Sequence, residues 1–185
     1  MPRLTLPAED ARTEAQSQAI AEATAGRRGR VPAPMIAWLQ SPELARRGQH
    51  LGEMLRYETT LEPTLSELAI LVTARHWTAH HEWFAHKREG LKAGMDPEVI
   101  AAIAARRAPV FRDDRERAVY AVSKSLLETR GVPDALYAQA VAALGERGMV
   151  ELIGILGYYA LVSMTLNTFE IGLPDSFSPE LVETP

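Results

Sequence analysis

The sequence predicts an all-α fold. Signals for the start and end of helices recur along the 185 residues, and no stretch alternates apolar and polar residues as a half-buried strand does. The composition, 46% hydrophobic and 24% charged, is typical of a globular chain that is long enough to bury a core. We therefore expect one helical domain.

The N-terminal part is predicted to be a helical extension. Residues 8–26 are rich in Ala, Glu and Gln, which favours a helix, and residues 29–34 are a Gly-, Arg- and Pro-containing loop. Arg27, Arg28 and Arg30 form a basic cluster beside glycines, and we expect a solvated loop there.

The domain boundaries follow from these changes in composition. We predict an N-terminal helical extension and loop over residues 1–34 and the main helical domain over residues 35–175. Residues 176–185 bear Pro, Ser and Glu, so we expect them to form a loose C-terminal tail.

The helices of the main domain begin at N-terminal signals. Ser41 and Pro42 are a cap residue and a first-turn proline, and predict a helix to about Tyr57. Residues 64–67 match the capping-box pattern of a second helix. The second helix either ends near Trp77, with Thr78 as the cap of a new helix, or continues as one bent helix, and Gly94 is the C-terminal glycine in both cases. Further helices are predicted from Asp96-Pro97 to about Arg106, after Asp113 to about Thr129, from Pro133 to about Leu144, and from Gly148 to before Gly172.

The longest apolar run lies at about residues 152–166. A membrane span needs roughly 20 apolar residues, and this run is shorter, with Glu151 before it and Asn167 after it. The run predicts a core or interface helix rather than a membrane span. It is more apolar than one face of a small domain requires, so we expect a homo-oligomer that buries part of it.

Charge and cysteine content exclude several classes of function. The net charge of -4 gives no electrostatic reason to expect a nucleic-acid partner. The chain has no cysteine, which excludes disulfides, thiolate metal ligands and thiol redox chemistry. The N-terminus lacks the apolar core of a signal peptide, so we expect a cytoplasmic protein.

The candidate site lies in residues 67–86, which place two carboxylates and four histidines in an otherwise apolar helical segment. Glu82 and His86 stand one turn apart on a side that is otherwise small and apolar. Paired titratable groups in such a setting are a candidate acid/base site. A satisfied structural hydrogen bond is an equally good interpretation of a buried Glu–His pair.

The same histidines do not predict a metal site. His81 and His86 are five residues apart, whereas the zinc-protease motif needs four. His76 and His80 have that spacing but lie across a possible helix break, and no third ligand is evident.

The order of these residues resembles the carboxymuconolactone decarboxylase family, which also contains the alkylhydroperoxidase D proteins. The resemblance lies in residues 66–71, 82–86 and Gly94. Residues 150–152, 157–159 and 166–167 of this chain also resemble the carboxy-terminal part of larger family members. It covers about residues 35–175. It implies an alkylhydroperoxidase D-like helical bundle that assembles as a dimer, trimer or hexamer.

The resemblance also implies which site chemistry is retained. The peroxidase branch uses a Glu, a Cys-x-x-Cys pair and a His, and Glu67 and His86 match the Glu and the His. Ala79 and Glu82 stand at the two Cys positions, so thiol peroxidase activity is not expected. The decarboxylase branch works without thiols, which favours acid/base chemistry with no cofactor.

The implied reaction is decarboxylation of a small carboxylated lactone or an aromatic-derived acid, with the lactone carbonyl as electron sink. His86 is then the proton donor and Glu82 orients it, while Glu67 is either a relay member or the capping-box residue. The residues proposed to bind substrate are Arg75, His80, Tyr158, Tyr159 and Asn167. A non-catalytic ligand-binding protein and another cofactor-free isomerase or hydrolase remain open alternatives.

Overall fold

The computed structural model describes residues 2–173 and 176–182, and every regular element in these ranges is helical. The all-α prediction is therefore confirmed. A short 3₁₀ turn at Glu9–Ala11 precedes the helices α1 (Glu14–Ala25), α2 (Met35–Trp38), α3 (Pro42–Tyr57), α4 (Pro63–His76), α5 (His80–Ala93), α6 (Pro97–Ala104), α7 (Asp114–Thr129) and α8 (Asp134–Thr168).

Several helix ends follow the local signals in the sequence. α3 has the bounds that were predicted, with Pro42 in its first turn. The Asp96 side chain accepts a hydrogen bond from the Glu98 amide at 2.8 Å and caps α6. Gly94 ends α5 with φ +91°, a left-handed conformation that favours glycine.

The predicted capping box at residues 64–67 is wrong. α4 begins at Pro63, with Glu62 as its N-cap residue and no side-chain cap hydrogen bond. Glu67 therefore lies in the second turn of α4 and its side chain is buried in the bundle. The earlier start frees this carboxylate for a contact with another helix.

Of the two alternatives for this stretch, a break near Thr78 or one bent helix, the structure has the break. α4 ends at His76, Thr78 has φ +47°, and α5 begins at His80 with Ala79 as its N-cap residue. The reversal packs α5 alongside α4. Side chains of α4 and α5 that are far apart in sequence consequently meet.

The range α8 consists of two helical segments that meet at a sharp kink, so the two helices that were predicted here are confirmed. Its kink lies at Gly145, where φ is +75°, between the predicted end at Leu144 and the predicted restart at Gly148. α8 packs against α3, α4, α5 and α7. α8 has the length and apolarity of a membrane span, but 56% of its most apolar window is buried inside the protein.

Both terminal segments pack on this bundle. α1 lies on α3, where the Glu22 carboxylate accepts from Arg46 Nε at 3.0 Å. Residues 176–182 lie along α5, with Leu181 buried and the Phe177 ring centroid 4.2 Å from that of Phe84. A loose tail therefore does not describe residues 176–182, and residues 183–185 of the predicted tail lie outside the described part.

Candidate active site

The candidate site is a buried cluster of two carboxylates and one imidazole. Glu67 comes from the second turn of α4, Glu82 from the first turn of α5 and His86 from the next turn of α5. All three side chains are buried. The sequence predicted this grouping, and the structure brings the three side chains together.

Glu67, rather than Glu82, is the close partner of His86. The Glu67 Oε2 atom lies 2.6 Å from His86 Nδ1, a short hydrogen bond between buried groups. The Glu82 Oε2 atom lies 3.7 Å from His86 Nε2, beyond hydrogen-bond distance. Each ring nitrogen thus has one carboxylate near it, and only Nδ1 is held firmly.

A half-buried arginine of α3, Arg56, places a positive charge beside Glu67. Arg56 Nη2 of α3 lies 3.9 Å from Glu67 Oε1 and 3.6 Å from Glu89 Oε2. Burial acts to lower the pKa of Arg56, but the neighbouring Tyr159, Glu67, Tyr57 and Glu89 outweigh it and raise that pKa. Arg56 therefore stays charged beside the Glu67–His86 pair.

Two tyrosines of α8 form another wall. The ring of Tyr159 packs edge-on against the His86 ring, with centroids 4.9 Å apart, and the Tyr158 ring lies 5.2 Å from that of Tyr159. Neither buried hydroxyl has a hydrogen-bond partner among the residues that the structure describes. Burial raises the pKa of both hydroxyls and outweighs the positive charge of Arg28, which lowers it, while the charge of Glu82 adds to the rise. Both phenols are consequently protonated donors at neutral pH.

These side chains open on a cavity of about 230 Å³. His86, Glu82 and the two tyrosines line one part of it. Residues 27–34, which join α1 to α2, line another part, with Arg27, Arg28 and Arg30 among them. The interpretation of this segment as a simple solvated loop is therefore wrong for Arg28, which is half-buried against the cavity.

Three other residues that were proposed to bind substrate lie outside this cavity. Arg75 donates to the carbonyls of Ala104 at 2.8 Å and Val182 at 3.1 Å, so its guanidinium links α4 to α6 and to the C-terminal segment. His80 and Asn167 line a separate surface cavity. The Asn167 amide donates to the Trp77 carbonyl at 2.8 Å and closes the end of α4.

The described residues contain no group of three His, Asp or Glu side chains arranged to hold a metal ion. His81 also lines the cavity, and its Nδ1 atom lies 2.8 Å from the carbonyl oxygen of Gly172. The arrangement as it stands suits proton transfer, because a buried imidazole lies between two carboxylates at the edge of a cavity.

This fold and this site define a class of helical proteins with a buried Glu–His pair between two adjacent helices. Residues 42–125 match the model of the carboxymuconolactone decarboxylase family. Over these residues the chain is similar to that family, its fold is alkylhydroperoxidase D-like, and it lacks the Cys-x-x-Cys pair.

Three solved structures share the fold. An uncharacterized peroxidase-related protein from Ralstonia eutropha JMP134, described as an alkylhydroperoxidase AhpD core, is 17% identical with a TM-score of 0.76, over 95% of this chain and 93% of that chain. A peroxidase-related protein from Silicibacter sp. TM1040 is 16% identical with a TM-score of 0.74, over 95% and 92%.

The third is a protein of unknown function from Agrobacterium tumefaciens, described as an AhpD antioxidant defence candidate. It is 18% identical with a TM-score of 0.67, over 75% of this chain and 95% of that chain. No curated protein matches the sequence. At these identities the likeness establishes the fold and leaves the reaction to the site itself.

Proposed function

We propose that the protein is a cofactor-free lyase that decarboxylates a small carboxylated lactone or a related aromatic-derived acid. The observation that carries this proposal is the 2.6 Å contact between the buried side chains of Glu67 and His86, of which His86 lines the cavity. A histidine that is oriented by a buried carboxylate is the usual form of a general acid/base. The match of residues 42–125 to the carboxymuconolactone decarboxylase family model supports the same class of reaction.

The proposed mechanism assigns one role to each member of the cluster. Glu67 holds the His86 ring through Nδ1 and stabilises the imidazolium, which leaves Nε2 as the nitrogen that exchanges a proton. The C–C bond to the substrate carboxylate breaks, CO₂ leaves, and the electron pair passes to the lactone carbonyl. His86 then protonates a carbon of the resulting enolate. Glu82, 3.7 Å from Nε2, can return a proton to the ring.

The charges around the cavity support an anionic substrate. Five arginines line the cavity, against two glutamates. The electric field of several positive charges in a concave site raises the local concentration of small anions. We also propose that the protein acts in the cytoplasm and as a homo-oligomer.

Thiol peroxidase activity is not part of the proposal, although two of the solved relatives are described as peroxidase-related. A thiolate is the group that attacks a peroxide in thiol chemistry. The 185 residues contain none, and Glu82 stands where the second thiol of the motif would lie.

The test is decarboxylation of 4-carboxymuconolactone by the purified protein, measured as loss of the lactone absorbance together with release of CO₂. His86→Gln should abolish turnover while the protein stays folded. His50→Gln is the matched control, because His50 is an exposed histidine of α3 that contacts Glu22. Tight binding of the lactone by the wild-type protein without turnover would identify a non-catalytic ligand-binding protein instead.

A further inference from the structure

The connection between α1 and α2 lies against the cavity of the candidate site. Residues 27–34 precede the part of the chain that matches the family model, yet they contribute six of the residues that line the cavity: Arg27, Arg28, Arg30, Pro32, Ala33 and Pro34. The cavity is therefore shared between the family core and this N-terminal loop.

Arg28 differs from the other arginines around the cavity. Arg27 lies over the Tyr57 ring, 4.7 Å from its centroid, and its amide donates to Glu53. Arg56 and Arg88 each have a glutamate within 4 Å. Arg30 is exposed.

Arg28 has no carboxylate within ion-pair distance in the described part of the chain, and its buried Nε atom makes no hydrogen bond there. A guanidinium carries five donors, and burying them without acceptors is costly. The buried hydroxyls of Tyr158 and Tyr159 also make no hydrogen bond in the described part of the chain, and both residues line the same cavity. Three side chains that line one cavity thus have hydrogen-bond donors without partners. A ligand with hydrogen-bond acceptors would satisfy them.

The backbone of α3 is shaped to admit Arg28 and Tyr158. A Cβ atom at Gly52 would lie 2.8 Å from Arg28 Nη2 and closer still to the Tyr158 hydroxyl. Both polar groups therefore meet over the same turn of α3. Only a glycine leaves room for them in this helix.

We infer that Arg28 is a substrate-binding residue of this site and that, with the Tyr158 hydroxyl, it holds a carboxylate of the substrate. The guanidinium fork matches the two oxygens of a carboxylate, and the phenol adds a third donor. Pro32, Pro34 and Val162 give the cavity an apolar wall for the organic part of the molecule. The inference rests on the proposed function for the identity of the ligand as a small organic acid, and it replaces Arg75 as the anchor.

Binding of benzoate, measured by isothermal titration calorimetry at neutral pH, tests this inference. The wild-type protein should bind benzoate, and both the uncharged benzamide and inorganic phosphate should bind more weakly. Arg28→Gln should weaken benzoate binding about tenfold or more, which is the loss expected for a charge-assisted hydrogen bond. Arg28→Lys keeps the positive charge but loses the planar guanidinium, so its affinity for benzoate should lie between those of the wild-type protein and Arg28→Gln.

The matched control is Arg47→Gln, which removes the same charge from an exposed position of α3. Its affinity for benzoate should equal that of the wild-type protein. Equal binding of benzoate by Arg28→Gln and the wild-type protein, or equal losses in Arg28→Gln and Arg47→Gln, would overturn the inference. So would phosphate binding as tightly as benzoate.

The two proposals fail in different ways. If the wild-type protein binds benzoate through Arg28 but never turns over a lactone, the inference stands and the lyase proposal falls. If turnover is found and Arg28→Gln leaves KM for the lactone unchanged, the lyase proposal stands and the inference falls.

Discussion

The carboxylate of Glu67 and the imidazole of His86 are joined by a 2.6 Å hydrogen bond that crosses from α4 to α5. Glu82 lies on the same helix as His86, yet its carboxylate is 3.7 Å from the other ring nitrogen. The two carboxylates therefore have unequal parts in any proton transfer. Glu67 fixes the tautomer and the orientation of the ring, and Glu82 faces the nitrogen that remains free.

We predict that Glu67→Gln lowers kcat for the lactone by about 10²- to 10⁴-fold, and more than Glu82→Gln does, because the neutral amide no longer stabilises the imidazolium. Steady-state kinetics of both variants, with thermal melts of each, provide the measurement. The Glu67→Gln/His86→Gln double variant should be little worse than His86→Gln alone, since the pair acts as one unit.

A purely structural role of the Glu67–His86 hydrogen bond would give a different result. A hydrogen bond with only a structural role predicts that Glu67→Gln lowers the melting temperature with no specific loss of kcat. That result would limit the pair to stabilising the packing of α4 on α5.

Local signals explain why much of the fold could be predicted from the sequence. The cap at Asp96, the prolines at the starts of helices and the left-handed Gly94 each act within a few residues, so the elements they bound were found. The pairing of Glu82 with His86 was likewise predictable, because residues four apart share one face of a helix.

The rest of the site depends on tertiary packing. Glu67 and His86 are 19 residues apart, and their contact requires the reversal of the chain at Thr78. The periodicity of the sequence does not predict the direction of that reversal. Arg28 reaches the cavity only because α1 packs on α3 and carries the following loop with it. Arg75 was chosen for its charge alone, and the structure places that charge against backbone carbonyls.

A second prediction concerns redox chemistry. The wild-type protein should show no thiol-dependent turnover of an organic hydroperoxide, since the chain has no cysteine. An Ala79→Cys/Glu82→Cys variant is the positive control, because thiols at the N-terminal end of α5 lie where a helix favours the thiolate. Peroxide consumption by pure wild-type protein with a dithiol reductant would refute this prediction.

A third prediction concerns assembly. Val150 and Ile153 lie one turn apart on α8 and are 72% and 40% exposed, while Leu51 of the neighbouring α3 is 47% exposed. We expect this apolar surface to be buried between copies of the chain. Light scattering should show an oligomer, and Val150→Glu/Ile153→Glu should shift it toward the monomer.

The control for assembly is Val110→Glu, at a loop position that is 90% exposed. It adds a charge in place of an exposed valine away from α8 and should leave the oligomer intact. A wild-type protein that is monomeric at micromolar concentration would contradict the prediction of an oligomer.

A fourth prediction follows from the buried phenol beside His86. Burial raises the pKa of Tyr159 well above its ordinary value of about 10. Above pH 10 the unfolded chain therefore releases this proton and the folded protein keeps it. The free energy of unfolding should fall as the pH rises from that point, by up to about 1.4 kcal/mol per pH unit from this group.

Urea unfolding between pH 8 and pH 11 measures this effect. Tyr159→Phe removes a hydroxyl that has no partner in the described residues, so it should cost little at pH 8 and should flatten the alkaline decline. Tyr137→Phe, at a half-exposed position of α8, is the control and should follow the wild-type curve. Parallel curves for Tyr159→Phe and the wild-type protein would show that Tyr159 does not cause the decline.

The last prediction concerns Gly52, over which Arg28 and Tyr158 meet. Alanine in place of glycine inside a helix normally stabilises a protein by about 0.5–1 kcal/mol. At position 52 the added methyl group would press on the Tyr158 ring and on Arg28 Nη2, and the ring is held in the core. We therefore expect Gly52→Ala to destabilise the protein by about 1–3 kcal/mol and to weaken benzoate binding.

Gly157→Ala on α8 is the control, because its Cβ atom would meet nothing within 4 Å of the same chain, and both variants are compared in the same assembly state. Urea unfolding should separate the two variants in opposite directions, and calorimetry should show lower affinity for Gly52→Ala alone. If Gly52→Ala is as stable as Gly157→Ala and binds benzoate normally, then Arg28 and Tyr158 yield to the methyl group without loss and are not held in place for a ligand.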